Sequence, residues 1–252
     1  ILEEYHQKYG LIYIINKLNV GFNKNFENAL RHTKGDYIMI CDQDDIWFPN
    51  KIEILYNAIK EYEEPFEPGL VCSNVVDVDS DLNIMVKKNT SFKAYDDYFY
   101  YNSHTQGCTT IMNQRLKELV LPFPPNIIYD GFIGFTAALC GFWYQIPDKL
   151  MYYRHHANNA IAFISKDKKS CYQKLKSKEK FPFIISNNRL DIYEKIIPLI
   201  KGKIKNNRKA IIDNIISLRK INSKTQRMYV AFTFPKKQLK VRLKSVAFIL
   251  LN

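Results

Sequence analysis

The run Gly35-Asp36-Tyr37-Ile38-Met39-Ile40-Cys41-Asp42-Gln43-Asp44-Asp45-Ile46-Trp47 constrains this chain more than any other stretch. Tyr37 to Cys41 is apolar, aromatic and β-branched without alternation, the pattern of a strand buried on both faces of a parallel sheet. Its carboxyl end delivers Asp42, Asp44 and Asp45, and that edge is where open α/β sheets bind ligands. Carboxylates so close together repel one another, and a divalent cation relieves the repulsion; hard oxygen ligands favour Mg²⁺ or Mn²⁺. Magnesium commonly divides its coordination between carboxylates and substrate phosphates, so a metal-assisted phosphate or nucleotide site is one reading. An acidic turn leading into the helix near Pro49 is the other, and the local pattern leaves both open.

Around this run, short apolar segments alternate with helical periodicities. Leu11 to Ile15 reads as a short buried strand following a helix closed by Gly10. Phe22, Phe26 and Leu30 recur at helical spacing, which predicts an amphipathic helix from Asn23 to Thr33 with Gly35 as its left-handed cap. Together with the central strand this forms a βαβ unit. Pro49 suits the first turn of a helix whose Ile52, Leu55 and Ile59 face inward. Leu70 to Val76 is a further buried strand, joined through a polar turn to Ile84-Met85-Val86 in a hairpin. Tyr95 to Tyr101 is aromatic and fits no element.

Gln106 to Asn113 reads as a strand and Gln114 to Val120 as a helix, broken by Leu121-Pro122-Phe123-Pro124-Pro125. Phe132, Phe135, Thr136 and Leu139 describe another helix, with Asp130 at its N-cap or in its first turn. Phe142 to Ile146 and Leu150 to Arg154 read as strands around a Pro147-Asp148 turn. The expected class is α/β, with a mostly parallel sheet flanked by helices.

The cysteines Cys41, Cys72, Cys108, Cys140 and Cys171 are odd in number and form no Cys-x-x-Cys pair, which argues for free thiols and against a zinc site. The longest mostly apolar run, Gly131 to Tyr144, is too short to span a bilayer, and the expected location is cytoplasmic. A net charge of +12 calls for an anionic partner. A basic nucleic-acid-binding protein would account for the charge and the tyrosines but leaves the acid cluster unexplained, so nucleic acid is not the expected partner.

Taken together, Asn19-Val20-Gly21, Lys34-Gly35-Asp36-Tyr37-Ile38, Asp42-Gln43-Asp44-Asp45-Ile46-Trp47, Tyr129-Asp130 and Tyr153-Arg154-His155-His156-Ala157-Asn158-Asn159 resemble the family 2 glycosyltransferases, closest to their rhamnosyltransferase-like branch. The resemblance covers roughly Leu11 to Asn159. It implies a GT-A fold and an inverting transfer of a sugar, rhamnose at the level of the family, from a nucleotide diphosphate donor to a hydroxyl of a cell-surface glycan or lipid-linked acceptor. By the same resemblance Asp42 lies against the ribose, Asp44 and Asp45 hold Mg²⁺ or Mn²⁺ between the donor phosphates, and Asp130 is the base. His156 is placed near the metal or diphosphate, and Arg154 adds positive charge. Asn19 and Gly21 shape the nucleotide edge, and Gly107 lies where acceptor meets donor sugar. His155 and His156 are adjacent on an extended segment, so at most one of them faces the site.

The family also opens with a strand, a helix and a second strand that have no counterpart before Ile1. The expectation is a catalytic domain over residues 1–164, incomplete at its N-terminus or completed by another polypeptide, and a basic helical extension over residues 165–252. Within the extension, Ile192, Ile196 and Leu199 and then Ile211, Ile215 and Leu218 share helical faces. Leu239 to Leu251 intersperses Lys240, Arg242 and Lys244 with apolar residues, the composition of an interfacial helix that would touch the inner membrane surface. Packing against the catalytic domain is the alternative. Haloacid-dehalogenase-like phosphatases also place Asp-x-Asp after an apolar strand, but Asp45-Ile46-Trp47 departs from their usual continuation.

Overall fold

The computed structural model describes residues 1–85, 105–156, 187–210 and 212–213. In chain order the elements are α1 (Leu2–Tyr9), α2 (Gly21–His32), β1 (Tyr37–Met39), β2 (Ile46–Trp47), α3 (Lys51–Tyr62), β3 (Gly69–Val78), β4 (Thr110–Asn113), α4 (Gln114–Val120), α5 (Tyr129–Cys140), β5 (Phe142–Arg154) and α6 (Asn187–Ile200). One five-stranded sheet has the order β1-β4-β3-β5-β2. The α/β class is as expected, but the sheet is mixed: β3 and β5 run parallel, while β1–β4, β3–β4 and β2–β5 are antiparallel.

Helices cover both faces. On one, Leu55 and Ile59 of α3 pack on Val71, Ile111, Phe142 and Leu150. On the other, α5 lies against Leu70, Met112 and Trp143 and is backed by α6, where Phe135 stacks on Tyr193 with ring centroids 4.2 Å apart. Every residue of α5 from Phe132 to Cys140 is buried, which explains its apolar composition all round. Trp143 is fully buried and donates its indole N–H to Thr105.

Several expectations are corrected. Residues 11–15 form no strand; Ile12 and Ile15 are among the most exposed apolar side chains, and among the described residues β1 pairs on one side only, with β4. The central strand is shorter than expected, and its burial alternates because its outward neighbour edge is open among the described residues. Helix α2 ends at Thr33 in extended geometry rather than at a left-handed Gly35. Ile52 is exposed, and Lys51 takes the inward position one turn before Leu55. Residues 107–109 make a 3-10 turn before β4 begins. On α6 the buried stripe is Tyr193, Ile196, Ile197 and Ile200, leaving Ile192 and Leu199 outside.

The two strands expected around Pro147 are one strand with a bulge. Cys72 pairs with Gln145 but Asn74 pairs with Lys149, so β5 carries extra residues there. The Asn74 side chain satisfies the freed carbonyls of Ile146 and Pro147, which allows proline inside a paired strand. The hairpin after β3 is present as the Val78–Ile84 bridge. Residues 95–101, the 164/165 boundary and residues 236–252 lie outside the described residues.

Gly141 closes α5 with its would-be Cβ 1.7 Å from the carbonyl oxygen of Pro68, which accepts the Phe142 amide. The obstacle is backbone and cannot swing aside. Gly141→Ala is expected to lower stability by about 1–3 kcal/mol in urea denaturation, the usual range for overpacking.

Candidate active site

Sheet pairing assembles the acidic region. Because Ile46 opposes Tyr152 and Trp47 opposes Met151, the antiparallel register carries Arg154 alongside the acidic loop. Its backbone N–H donates to Asp45 Oδ1 at 3.0 Å and its Nε–H to the Asp44 carbonyl at 2.9 Å. A further guanidinium N–H reaches the Ser80 carbonyl. The next two residues point apart, as extended backbone requires: His155 pairs with Asp77 at 2.6 Å and His156 with Asp44 at 2.8 Å.

Ligand atoms of Asp42, Asp45 and Cys108 all lie within 4.8 Å of one another. The expected trio of Asp44, Asp45 and His156 is therefore distributed differently, with Asp42 beside Asp45 while Asp44 engages His156. Burial, then the neighbouring carboxylates, holds the Asp42 carboxyl above its ordinary range, and burial does the same for Asp45. The Cys108 thiol lies beside both of them, with a single proton to offer, and burial raises it far above a normal thiol, so it remains protonated. Asp45 Oδ2 is buried without a partner. An orphaned carboxylate oxygen beside a second carboxylate suits a hard divalent cation, whereas a protonated thiol is a poor ligand for one. The described residues thus fit a cation held chiefly by Asp42 and Asp45.

Asp130 sits in the first turn of α5. Its carboxylate accepts the amide N–H of Gly131 at 2.6 Å, and the nearby Gly107 amide also favours its charged form. Burial nevertheless dominates, with Asp42 adding a smaller push, and the carboxyl is raised to about 6. Gly107 allows this approach: a Cβ there would meet the Tyr129 hydroxyl at 2.2 Å. The 3-10 turn at residues 107–109 consequently lies beside both acidic groups, Gly107 near Asp130 and Cys108 next to Asp42 and Asp45.

Asn19 and Gly21 form a local turn, Gly21 N–H donating to Asn19 Oδ1 at 2.9 Å with Gly21 at φ 75°. The turn borders an open hollow of about 360 Å³ with Asn16, Phe22 and Asn25. One turn of chain later, Asn23 donates to the Ile127 carbonyl and accepts the Tyr129 amide, so α2 caps the start of the helix that carries Asp130. Sequence reasoning missed Asn23 and Cys108, whose contacts are between distant segments. It also missed Lys51, although a lysine one turn before Leu55 on an apolar face was a visible signal. That lysine is fully buried, and desolvation pulls its ammonium down to about 8.

Residues 1–120 match the family described as "Glycosyl transferase family 2". A dTDP-rhamnosyl transferase of Shigella flexneri is 28% identical over 185 residues, covering 64% of this chain and 59% of its own length. An uncharacterized glycosyltransferase of Methanocaldococcus jannaschii is 28% identical over 185 residues, covering 70% of this chain and 62% of its own. The chain thus spans about six-tenths of the length of these relatives. Among solved structures, TarS of S. aureus aligns with TM-score 0.48 at 13% identity, over 98% of this chain and 74% of that one.

The raised Asp130 carboxyl makes a stability prediction with a definite sign. Between the ordinary value of 3.8 and about 6 the folded protein holds a proton that the unfolded chain has released, so stability falls as pH rises through this window. Asp130→Asn keeps the acceptor oxygen and removes the buried charge. Calorimetry at pH 7 should find it more stable by roughly 1–3 kcal/mol, with the difference gone below about pH 4.

Proposed function

We propose, from the match of residues 1–120 to glycosyl transferase family 2, that the chain acts as an inverting glycosyltransferase, moving a sugar from a nucleoside diphosphate donor to a hydroxyl of a glycan or lipid-linked acceptor. The single observation that carries this reading is the turn at residues 107–109, which seats Gly107 against Tyr129 beside Asp130 on one side and Cys108 Sγ within 4.8 Å of Asp42 and Asp45 on the other. A base and a cation-binding pair of carboxylates at one turn are what a displacement at an anomeric carbon requires.

Asp130 takes the proton from the acceptor hydroxyl as the new bond forms. A carboxyl raised to about 6 is a stronger base than an ordinary aspartate and is still ionised at neutral pH. Asp42 and Asp45 would hold Mg²⁺ or Mn²⁺, which when bound neutralises the charge developing on the diphosphate leaving group. Arg154 fastens the acidic loop to β5 and brings positive charge to it, while the Asp44–His156 pair sits ready to join the coordination or contact a phosphate. Asn19 and Gly21 line the nucleotide edge. Among the described residues no helix is long and apolar enough to cross a membrane. The basic apolar segment 236–252 would bring the chain to an anionic membrane surface carrying a lipid-linked acceptor; liposome co-sedimentation unchanged by its deletion would exclude that role.

The likeness to a dTDP-rhamnosyl transferase makes dTDP-rhamnose the first donor to test. Thermal shift and turnover should be followed across a panel of nucleotide sugars with Mn²⁺. The expected result is stabilisation by one donor and turnover abolished by a chelator. Asp130→Asn should lower kcat by roughly 10²–10⁴-fold with donor binding retained. Release of inorganic phosphate without sugar transfer would instead favour a phosphatase.

A further inference from the structure

A fully buried ammonium lies beneath the acidic loop. Lys51, the first residue of α3, is fully buried. Its ammonium donates to the Cys108 carbonyl at 2.6 Å and to Met151 Sδ at 3.2 Å, and it lies 3.8 Å from the centre of the Trp47 ring. None of the ion pairs among the described residues includes it. A carbonyl, a thioether and an indole face satisfy its three donors without any carboxylate. Removing an ammonium from water is costly, and a methionine would fill the same space without that cost. What a methionine lacks is an N–H donor for the Cys108 carbonyl.

That carbonyl belongs to the turn that seats Gly107 against Tyr129, next to Asp130, and Cys108 Sγ within 4.8 Å of the Asp42 and Asp45 carboxylates. Lys51 ties this turn to α3, to β2 through Trp47 and to β5 through Met151. We propose that Lys51 is a positioning residue: its ammonium clamps the turn at residues 107–109 and so sets the spacing between Asp130 and the Asp42 and Asp45 carboxylates. The inference rests on the reading of Asp130 as the base, but the clamp itself can be measured without turnover.

The test compares the wild-type protein with Lys51→Met and Lys51→Gln, the second keeping an N–H donor in the same space. Amide hydrogen exchange at residues 107–109 should accelerate about tenfold or more in Lys51→Met, with the rest of β3 and β5 unchanged. In transfer assays kcat should fall roughly 10- to 100-fold while the donor KM stays within about threefold, as expected for misplacement of reacting groups. Lys51→Gln should recover part of both effects, and it carries the test by itself if Lys51→Met does not fold. Wild-type exchange and wild-type kcat in folded Lys51→Met, or in Lys51→Gln where that is the only variant that folds, would overturn the proposal, as would uniform acceleration of exchange across the sheet. If the wild-type protein turns over no donor, the proposed activity fails, and the exchange data still decide the clamp.

Discussion

Carboxylates crowded at one edge of a sheet must be compensated or the loop that carries them cannot hold its shape. Here the compensation comes from outside the loop. Arg154 supplies a backbone N–H to Asp45 and a side-chain N–H to the loop carbonyl of Asp44, the protonated Cys108 thiol lies beside two of the acids, and His156 engages the third. The compensation is incomplete, since Asp45 keeps a buried oxygen without a partner. A region with unsatisfied negative charge in a low-dielectric setting is poised for a cation, and the same field from Asp42 contributes to the raised Asp130 carboxyl.

The mixed sheet makes this compensation possible. Antiparallel pairing of β2 with β5 folds the acidic loop back over the end of β5, so that three consecutive residues, Arg154, His155 and His156, arrive at β1's carboxyl side. Parallel pairing of β3 with β5 places Asp77 where His155 can reach it. The bulge at Pro147 absorbs the difference in strand length, with Asn74 satisfying the carbonyls it frees. From the other face, α5 delivers Asp130, and α2 caps the start of that helix through Asn23. The site is therefore the meeting point of both layers rather than a property of the loop alone.

The helices were the most legible part of the chain. The helix from Gln114 to Val120 agrees with the structure residue for residue, and Asp130 lies in the first turn expected for it, because helical order depends on residues three and four apart that are visible in the sequence. Strands were read less well. Residues 11–15 carry a strand's composition yet have no ladder partner among the described residues, and a strand exists only through its partner. Lys51 rather than the expected Ile52 faces inward for a related reason: hydrophobicity alone assigns isoleucine inward, while the carbonyl, sulfur and indole awaiting the lysine come from three separate segments.

By itself the sequence determined the α/β class, the acidic turn at the end of an apolar strand, Asp130 at a helix start, and the opposite facing of His155 and His156. These follow from local periodicity and from backbone geometry that alternates residue by residue. Only the tertiary structure decided which acid stands beside which, that Asp42 rather than Asp44 neighbours Asp45, that Cys108 bridges them, and that Lys51 lies underneath. Those outcomes depend on strand register and on contacts between residues some 60 to 100 positions apart, and no local pattern encodes a distance of that kind.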